Sequence, residues 1–214
     1  MKIALIGATG FLGKSLTNEL SNRKHEVTAI SRTAQESDKD NLKYVATDVY
    51  NIEALSAILK GHDAVISAFN PGWTNPNISA DFLKGAKAIQ EAVKLSGVKR
   101  LITIGGAGSL YIDGKQLVDG PDFPADIKPG ATAAREYLDI IKEEKDLDWA
   151  FFSPAIEMHP GITTGRTGKY RLGTDNPVFN EEGRSLLSGE DVAVVLADEI
   201  ENPKHHQVRF TAAY

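Results

Sequence analysis

The chain has 214 residues, with 42% hydrophobic and 25% charged side chains and 24 Lys and Arg against 29 Asp and Glu, a formal charge of −5. That length suits one α/β domain, the apolar content supplies a core and argues against disorder, and the acidic balance offers no general field for nucleic acid or an anionic membrane. The absence of Cys removes a disulfide framework, a thiolate metal site and a cysteine nucleophile.

Short apolar, β-branched runs at Lys2–Ile6, Glu26–Ile30, Leu42–Val45, Ala64–Ser67, Leu101–Ile104 and Trp149–Phe152 predict strands that are buried on both faces. Helices are predicted between them. Phe11–Leu20 and Ile52–Leu59 are the first two; the third carries Ile78, Phe82, Ile89 and Val93 on one face and ends at Gly97; the fourth aligns Ala134, Tyr137, Leu138 and Ile141. The alternation predicts a single-domain α/β fold of Rossmann type, a doubly wound parallel sheet with helices on both faces and right-handed crossovers. Two long loops, Gly105–Gly130 and Pro154–Glu182, follow strands and are expected at the carboxyl edge of the sheet, where such folds bind ligands. A short strand at Ser185–Leu187, a helix at Glu190–Ile200 opened by Ser188 or Gly189, and a last strand at Gln207–Ala212 complete the reading. Residues 1–153 are expected to form the cofactor core, and 154–214 a small C-terminal substrate lid and closing elements of the same domain. No apolar run approaches the ~18 residues of a membrane span or the length of a secretory signal core, so a cytoplasmic location is expected.

Gly7-Ala8-Thr9-Gly10-Phe11-Leu12-Gly13 places glycines at i, i+3 and i+6, directly after the first strand and opening the first helix. Gly7 is needed for a sharp turn, Gly10 for close approach of a pyrophosphate and Gly13 for packing of helix on strand, while the helix N-terminus receives the phosphates. The alternative is a merely structural tight turn. At the end of the second strand, where NAD-specific proteins carry an acid for the ribose hydroxyl, stand Ser31 and Arg32. Arg pairs with a 2′-phosphate, so NADP(H) is the expected cofactor with NAD(H) possible; the alternative is an Arg stacked on adenine without discrimination. Asp48, after the third strand, suits either the adenine amino group or capping of the following helix.

These residues, together with Ile104-Gly105-Gly106-Ala107-Gly108-Ser109, Thr167-Gly168-Lys169-Tyr170, the run Gly183–Ala193 and the closing Phe210-Thr211-Ala212-Ala213-Tyr214, resemble the atypical short-chain dehydrogenase/reductases of the NmrA-like type. The distal motifs are similar to the branch that includes biliverdin-IXβ/flavin reductase and bacterial NADH-flavin reductase-like proteins. The resemblance implies that Thr9, Phe11 and Leu12 join the glycines around the pyrophosphate and that Ala68 and Phe69 lie along the adenosine and ribose. It implies further that Gly105, Gly106 and Ser109 line the nicotinamide side, that Ser153, Pro154, Ala155 and Ile156 border the carboxamide, and that His159 and Arg166–Tyr170 face the substrate.

Most catalytic members of that superfamily use Tyr-x-x-x-Lys. Here the residue four past Tyr137 is Ile141, and Lys142, five past it, is rotated by about 140°. Tyr137 is therefore either a core residue of the apolar stripe or a site residue. Losing the dyad matters for carbonyl reduction or sugar epimerisation, where an oxygen exchanges a proton, and much less for hydride transfer to a flavin, quinone or similar conjugated acceptor. A small-acceptor reductase, monomeric or homodimeric, is thus expected; the rivals are a dinucleotide-binding redox sensor and an epimerase/dehydratase-like enzyme.

Ser109, Tyr137 and His159 are the candidate catalytic groups, Ser109 alternatively bonding its own loop backbone. Glu157 beside His159 is a possible acid, and Trp73 covers the cofactor or packs on the next helix. The five histidines have no metal-ligand spacing, so no metal is expected. The Lys142–Asp146 charge run reads as solvated, and no Gly-x-Ser-x-Gly elbow or Walker loop supports hydrolase chemistry.

Overall fold

Successive strand residues face opposite ways, and here both directions are apolar. Ile3, Leu5, Val27, Ala29, Ile66, Ile102, Ala150 and Phe152 enter one core, whereas Ala4, Ile6, Ile30, Val65, Leu101, Trp149 and Phe151 enter a second. Such a sheet needs a helical layer on each face. The computed structural model, which describes residues 1–33 and 35–214, supplies both. The elements run β1 (Lys2–Ile6), α1 (Phe11–Asn22), β2 (Glu26–Ser31), β3 (Leu42–Ala46), α2 (Ile52–Leu59), β4 (Ala64–Ser67), α3 (Ile78–Ser96), β5 (Arg100–Ile104), β6 (Tyr111–Ile112), β7 (Lys115–Gln116), α4 (Lys128–Lys142), β8 (Asp148–Phe152), β9 (Arg171–Gly173), α5 (Gly189–Glu201) and β10 (Val208–Ala213). Helices α1 and α5 cover the first core and α2, α3 and α4 the second.

The main sheet has the order β3-β2-β1-β4-β5-β8-β10-β9, parallel throughout except for β9, which runs antiparallel to β10. The fold is the expected single-domain Rossmann-type sheet. Its winding reverses between β1 and β4, and the crevice at that switch point is where doubly wound sheets take ligands. Register puts Ile6 beside both Ile30 and Ser67, so the loops leaving β1, β2 and β4 emerge together. Gly97 ends α3 in the left-handed conformation (φ 84°), as expected of a helix-closing glycine.

The distal segments depart from expectation in three places. Gly105–Gly130 is not structureless: it holds the β6–β7 hairpin, two short 3₁₀ turns and the start of α4, whose first turn carries Pro129, a residue already set for helical φ. The Pro154–Glu182 segment contains β9. Ser185–Leu187 does not form the expected strand; its pairing stops at a single bridge between Glu157 and Leu186, because Ser188 already opens α5. Among the described residues, no helix is long and apolar enough to cross a membrane.

Candidate functional site

The glycine loop is clamped from behind. Gly7 N and Ala8 N both donate to Ile30 O (2.9 and 3.2 Å), and Gly10 N donates to Gly7 O (3.1 Å). Gly7 sits at φ +81°, and a Cβ there would lie 2.5 Å from Ala68 O. A Cβ on Gly13 would lie 2.1 Å from Gly7 O, so α1 can rest on the loop only because that residue has no side chain. Gly10, at φ −72°, is strain-free and its Cβ would meet only Gly7 O, at 3.3 Å. Among the described residues the amides of Phe11, Leu12 and Gly13 find no backbone acceptor. A cradle without side chains and edged with free N–H groups fits a pyrophosphate.

Beside the cradle, β2 and β3 deliver a polar corner. Ser31 Oγ donates to Thr33 O (2.6 Å) and is buried, so its hydroxyl serves the loop; Arg32 next to it is exposed. Asp48 Oδ1 accepts from Tyr50 N (3.0 Å), while the cap of α2 is Asn51, whose Oδ1 accepts from Ala54 N (3.1 Å). The capping alternative for Asp48 therefore falls to Asn51, and Asp48 shapes an Asx turn that presents Tyr50. Tyr50 is half-exposed, donates to Asp81 O (3.1 Å) and carries Lys84 Nζ 4.7 Å above its ring. Burial and the charges of Asp81 and Asp48 push its phenol up, with Arg32 opposing. The sequence signals Tyr50 only as an aromatic two residues past Asp48.

The opposite end of the crevice is drier. Phe69 stacks on Phe82 (6.2 Å between centroids) and fills the space that a Cβ on Gly85 would need. Gly105 N donates to Phe152 O (2.8 Å), and Gly105 leaves room for the Phe151 ring. Gly106 is more open, with Ala134 Cβ 3.7 Å from its virtual Cβ. Ser109 is fully buried: its Oγ donates to Gly106 O (3.0 Å) and lies 2.9 Å from Ser153 Oγ. Its carbonyl accepts from Gln116 Nε2 (3.2 Å) and from Arg209. Ser109 thus joins the loop to β8 and bonds its own backbone. Tyr137 is 1% exposed and donates to Gln90 Oε1 (3.2 Å) in the seam between α3 and α4, and burial pushes its phenol well above the ordinary range. Its hydroxyl is directed at a helix partner. Ser153, Pro154 and Ala155 are buried behind the sheet edge, and Ile156 is exposed beyond them.

The C-terminal segment folds over α1 as a strap, residues 165–168. Arg166 grips Glu19 with both Nε (2.7 Å) and Nη2 (2.8 Å), and Thr167 N, Thr167 Oγ1 and Gly168 N converge on the carboxylate of Asp191 at 2.6–3.1 Å. Tyr214 Oη donates to the same carboxylate (2.7 Å). Ser188 caps α5 by accepting from Asp191 N (3.0 Å) and donates to Gly165 O (2.7 Å). Gly189 is hard against Phe11, 2.9 Å from its virtual Cβ, so the strap's anchor is packed on the end of the glycine loop. Of the other candidates, His159 is exposed with Nδ1 accepting from Gly161 N (3.1 Å), and Glu157 is paired with Arg184, which holds its carboxyl below the usual range and keeps it an anion rather than an acid. His205 and His206 lie beyond the opposite end of the strands, on Glu199 and Asp148 (both 2.8 Å). Among the described residues no cluster of three His, Asp or Glu could hold a metal.

The strap carries a pH signature. Arg166 holds the Glu19 carboxyl below its ordinary value of 4.5, burial opposing and Arg23 assisting. A carboxyl depressed in the folded state stabilises above its unfolded value, and that contribution is lost as the pH falls through the folded value. Melting temperature is therefore expected to drop on acidification below about pH 4.5, and Glu19→Gln to flatten that drop in thermal scans from pH 7 to 3.

A family model described as NAD(P)H-binding matches residues 7–203, from the first glycine of the cradle to just past the end of α5. The chain belongs to this NAD(P)H-binding family. Over 216 aligned positions it is 36% identical to the uncharacterized protein YwnB of Bacillus subtilis, covering 99% of this chain and 97% of that one. Two solved structures share the whole fold. A proposed epimerase of Bacteroides thetaiotaomicron is 45% identical with a TM-score of 0.91, covering 100% of this chain and 96% of its own. A proposed NADH-flavin reductase of Streptococcus pneumoniae is 36% identical with a TM-score of 0.87, covering 100% and 99%. Family and neighbours agree with the atypical short-chain dehydrogenase/reductase resemblance. Membership of the NAD(P)H-binding family accounts for the cradle, and the two neighbours carry different activity names.

Proposed function

We propose that this NAD(P)H-binding protein is a reductase that prefers NADPH and passes hydride to a planar conjugated small molecule, a flavin or a quinone. The observation that carries the reading is the commitment of Tyr137, Ser109 and Glu157, which leaves the exposed His159 as the one candidate without a side-chain partner among the described residues. Tyr137 is bonded to Gln90, Ser109 to Gly106 and Ser153, and Glu157 to Arg184. An epimerase or alcohol dehydrogenase needs a poised acid or base at the reacting oxygen. A conjugated acceptor does not. The dinucleotide supplies two electrons and one proton as hydride, and the second proton that the reduced acceptor takes up comes from water.

The protein's part is then binding and alignment. Gly7, Thr9, Gly10, Phe11, Leu12 and Gly13 hold the pyrophosphate with backbone donors. Arg32 meets the 2′-phosphate, with Ser31 fixing the turn that presents it and Asp48 and Tyr50 bordering the adenine. Ala68 and Phe69 line the ribose side, Gly106 leaves room for the nicotinamide with Gly105 seated on Phe151 beside it, and Ser153, Pro154, Ala155 and Ile156 form its far wall. Ser109 and Tyr137 serve as scaffold, and His159 stands on the acceptor side.

Two measurements test the reading. NADPH oxidation should accelerate on addition of riboflavin, FMN or menadione; a protein that binds cofactor but oxidises none in their presence is a sensor, and the reductase reading is wrong. Arg32→Ala should weaken NADPH binding about 10- to 100-fold, as expected for a lost charge-assisted contact, and leave NADH binding unchanged. Equal loss for the two dinucleotides in a calorimetric titration would remove the preference.

A further inference from the structure

Trp73 combines high exposure with a built position. At 58% exposed it presents more of its surface than any other Phe, Tyr or Trp among the described residues. Yet its loop is tightly made. Asn70 Oδ1 accepts from Gly72 N (2.7 Å), and Gly72 sits at φ +111°, where a side chain is strained. The indole then rests on the first turn of α4, at a glycine: a Cβ on Gly130 would come within 2.9 Å of Trp73 Cζ3 and of Ile78 Cδ1. One edge of the ring is seated and much of it is left bare. Single exposed apolar side chains are common on protein surfaces; what sets Trp73 apart is the built seat that holds its ring with much of it bare.

Its place in the fold says what that would be. The loop carrying Trp73 leaves β4 directly after Ala68 and Phe69, beside the glycine cradle. The helix it rests on is the one whose Ala131 and Ala134 back Gly108 and Gly106 in the loop leaving β5. The ring therefore reaches from the connection after β4 to the helix that backs the connection after β5, at the end of the crevice to which the proposed function assigns the nicotinamide. We propose that Trp73 is the stacking face for the planar acceptor, and that Gly130 sets the angle of the indole. This rests on the reductase reading above and adds what selects the acceptor: a flat conjugated ring recognised by its face, with no polar handle required.

The chain has two tryptophans, and Trp149 is buried with its Nε1 donating to Glu144 O (3.2 Å). Changes of emission on adding a small quencher thus report chiefly on Trp73. In protein saturated with NADP⁺, where no turnover occurs, menadione or riboflavin should quench emission saturably, and Trp73→Phe should lose most of that quench. In NADPH-dependent turnover, Trp73→Ala should raise the acceptor KM about tenfold with the NADPH KM unmoved, and Trp73→Phe should restore it to within about threefold. Gly130→Ala keeps the indole but displaces it, and should raise the acceptor KM in the same way. An active enzyme whose acceptor KM is unchanged in Trp73→Ala and Gly130→Ala overturns this inference and leaves the reductase reading standing. Saturable Trp73-dependent quenching without turnover upholds the stacking face and overturns the reductase. Neither quenching nor turnover overturns both.

Discussion

Gly13→Ala is expected to abolish dinucleotide binding and to destabilise the fold at the same time. The new methyl would lie 2.1 Å from Gly7 O and 2.7 Å from the Ala8 carbonyl carbon. Neither atom can give way cheaply, because Gly7 N and Ala8 N are bonded to Ile30 O and Gly7 O already accepts from Gly10 N. Relief requires α1 to lift from β1, which opens the first core and spreads the donors of the cradle. Overpacking of this kind costs about 3 kcal/mol, or roughly 6–12 °C in melting temperature for a domain of this size. Gly10→Ala is the contrast. Its backbone is strain-free and its methyl meets only Gly7 O at 3.3 Å, so folding should survive while a pyrophosphate loses its close approach. Calorimetry with NADPH beside thermal melts separates the two variants; a Gly13→Ala protein that melts and binds like the parent would contradict the cradle.

Asp191→Ala is expected to release the strap. The carboxylate is fully buried and satisfies Thr167 N, Thr167 Oγ1, Gly168 N and Tyr214 Oη together. Removing it leaves the Thr167 and Gly168 amides and two hydroxyls without their acceptor; Thr167 and Gly168 are exposed residues, so water takes over much of the loss and a net cost of about 1–2 kcal/mol is expected. Asp191→Asn keeps the shape but turns an NH₂ group towards donors, and should behave almost as badly as alanine. Limited proteolysis reads the outcome: cleavage within residues 163–170 should rise sharply in both variants, with the glycine cradle still able to take NADPH. Unaltered protease resistance would mean that Arg166 and Glu19 hold the strap alone.

The cofactor half was legible because each of its features is local. Strand bounds follow from continuous apolar runs, and the three glycines announce a turn in which Gly7 and Gly13 have no room for a side chain. Arg32 and Asp48 stand where a strand end must deliver them. The C-terminal segment was not legible for the opposite reason. Arg171-Leu172-Gly173 has neither length nor alternation, and becomes β9 only because β10 offers it an edge. Ser185–Leu187 is more apolar, yet it pairs at one position because the helix cap at Ser188 follows at once. Asp191 had a readable signal in Ser188-Gly189-Glu190-Asp191, the spacing of a helix capping motif. What the spacing conceals is direction: the Asp191 amide serves the cap, while its carboxylate faces away to the strap.

The order β8-β10-β9 also constrains how the molecule comes into being. The strand that completes the sheet is the last in the chain, and it inserts between two elements made earlier. Until residues 208–213 are in place, β9 has no neighbour to bond and Tyr214 cannot reach Asp191. During synthesis the glycine cradle and the Trp73 loop are therefore made well before the strap can be anchored. The strap is the last part to be secured, and it waits on the same segment that closes the sheet.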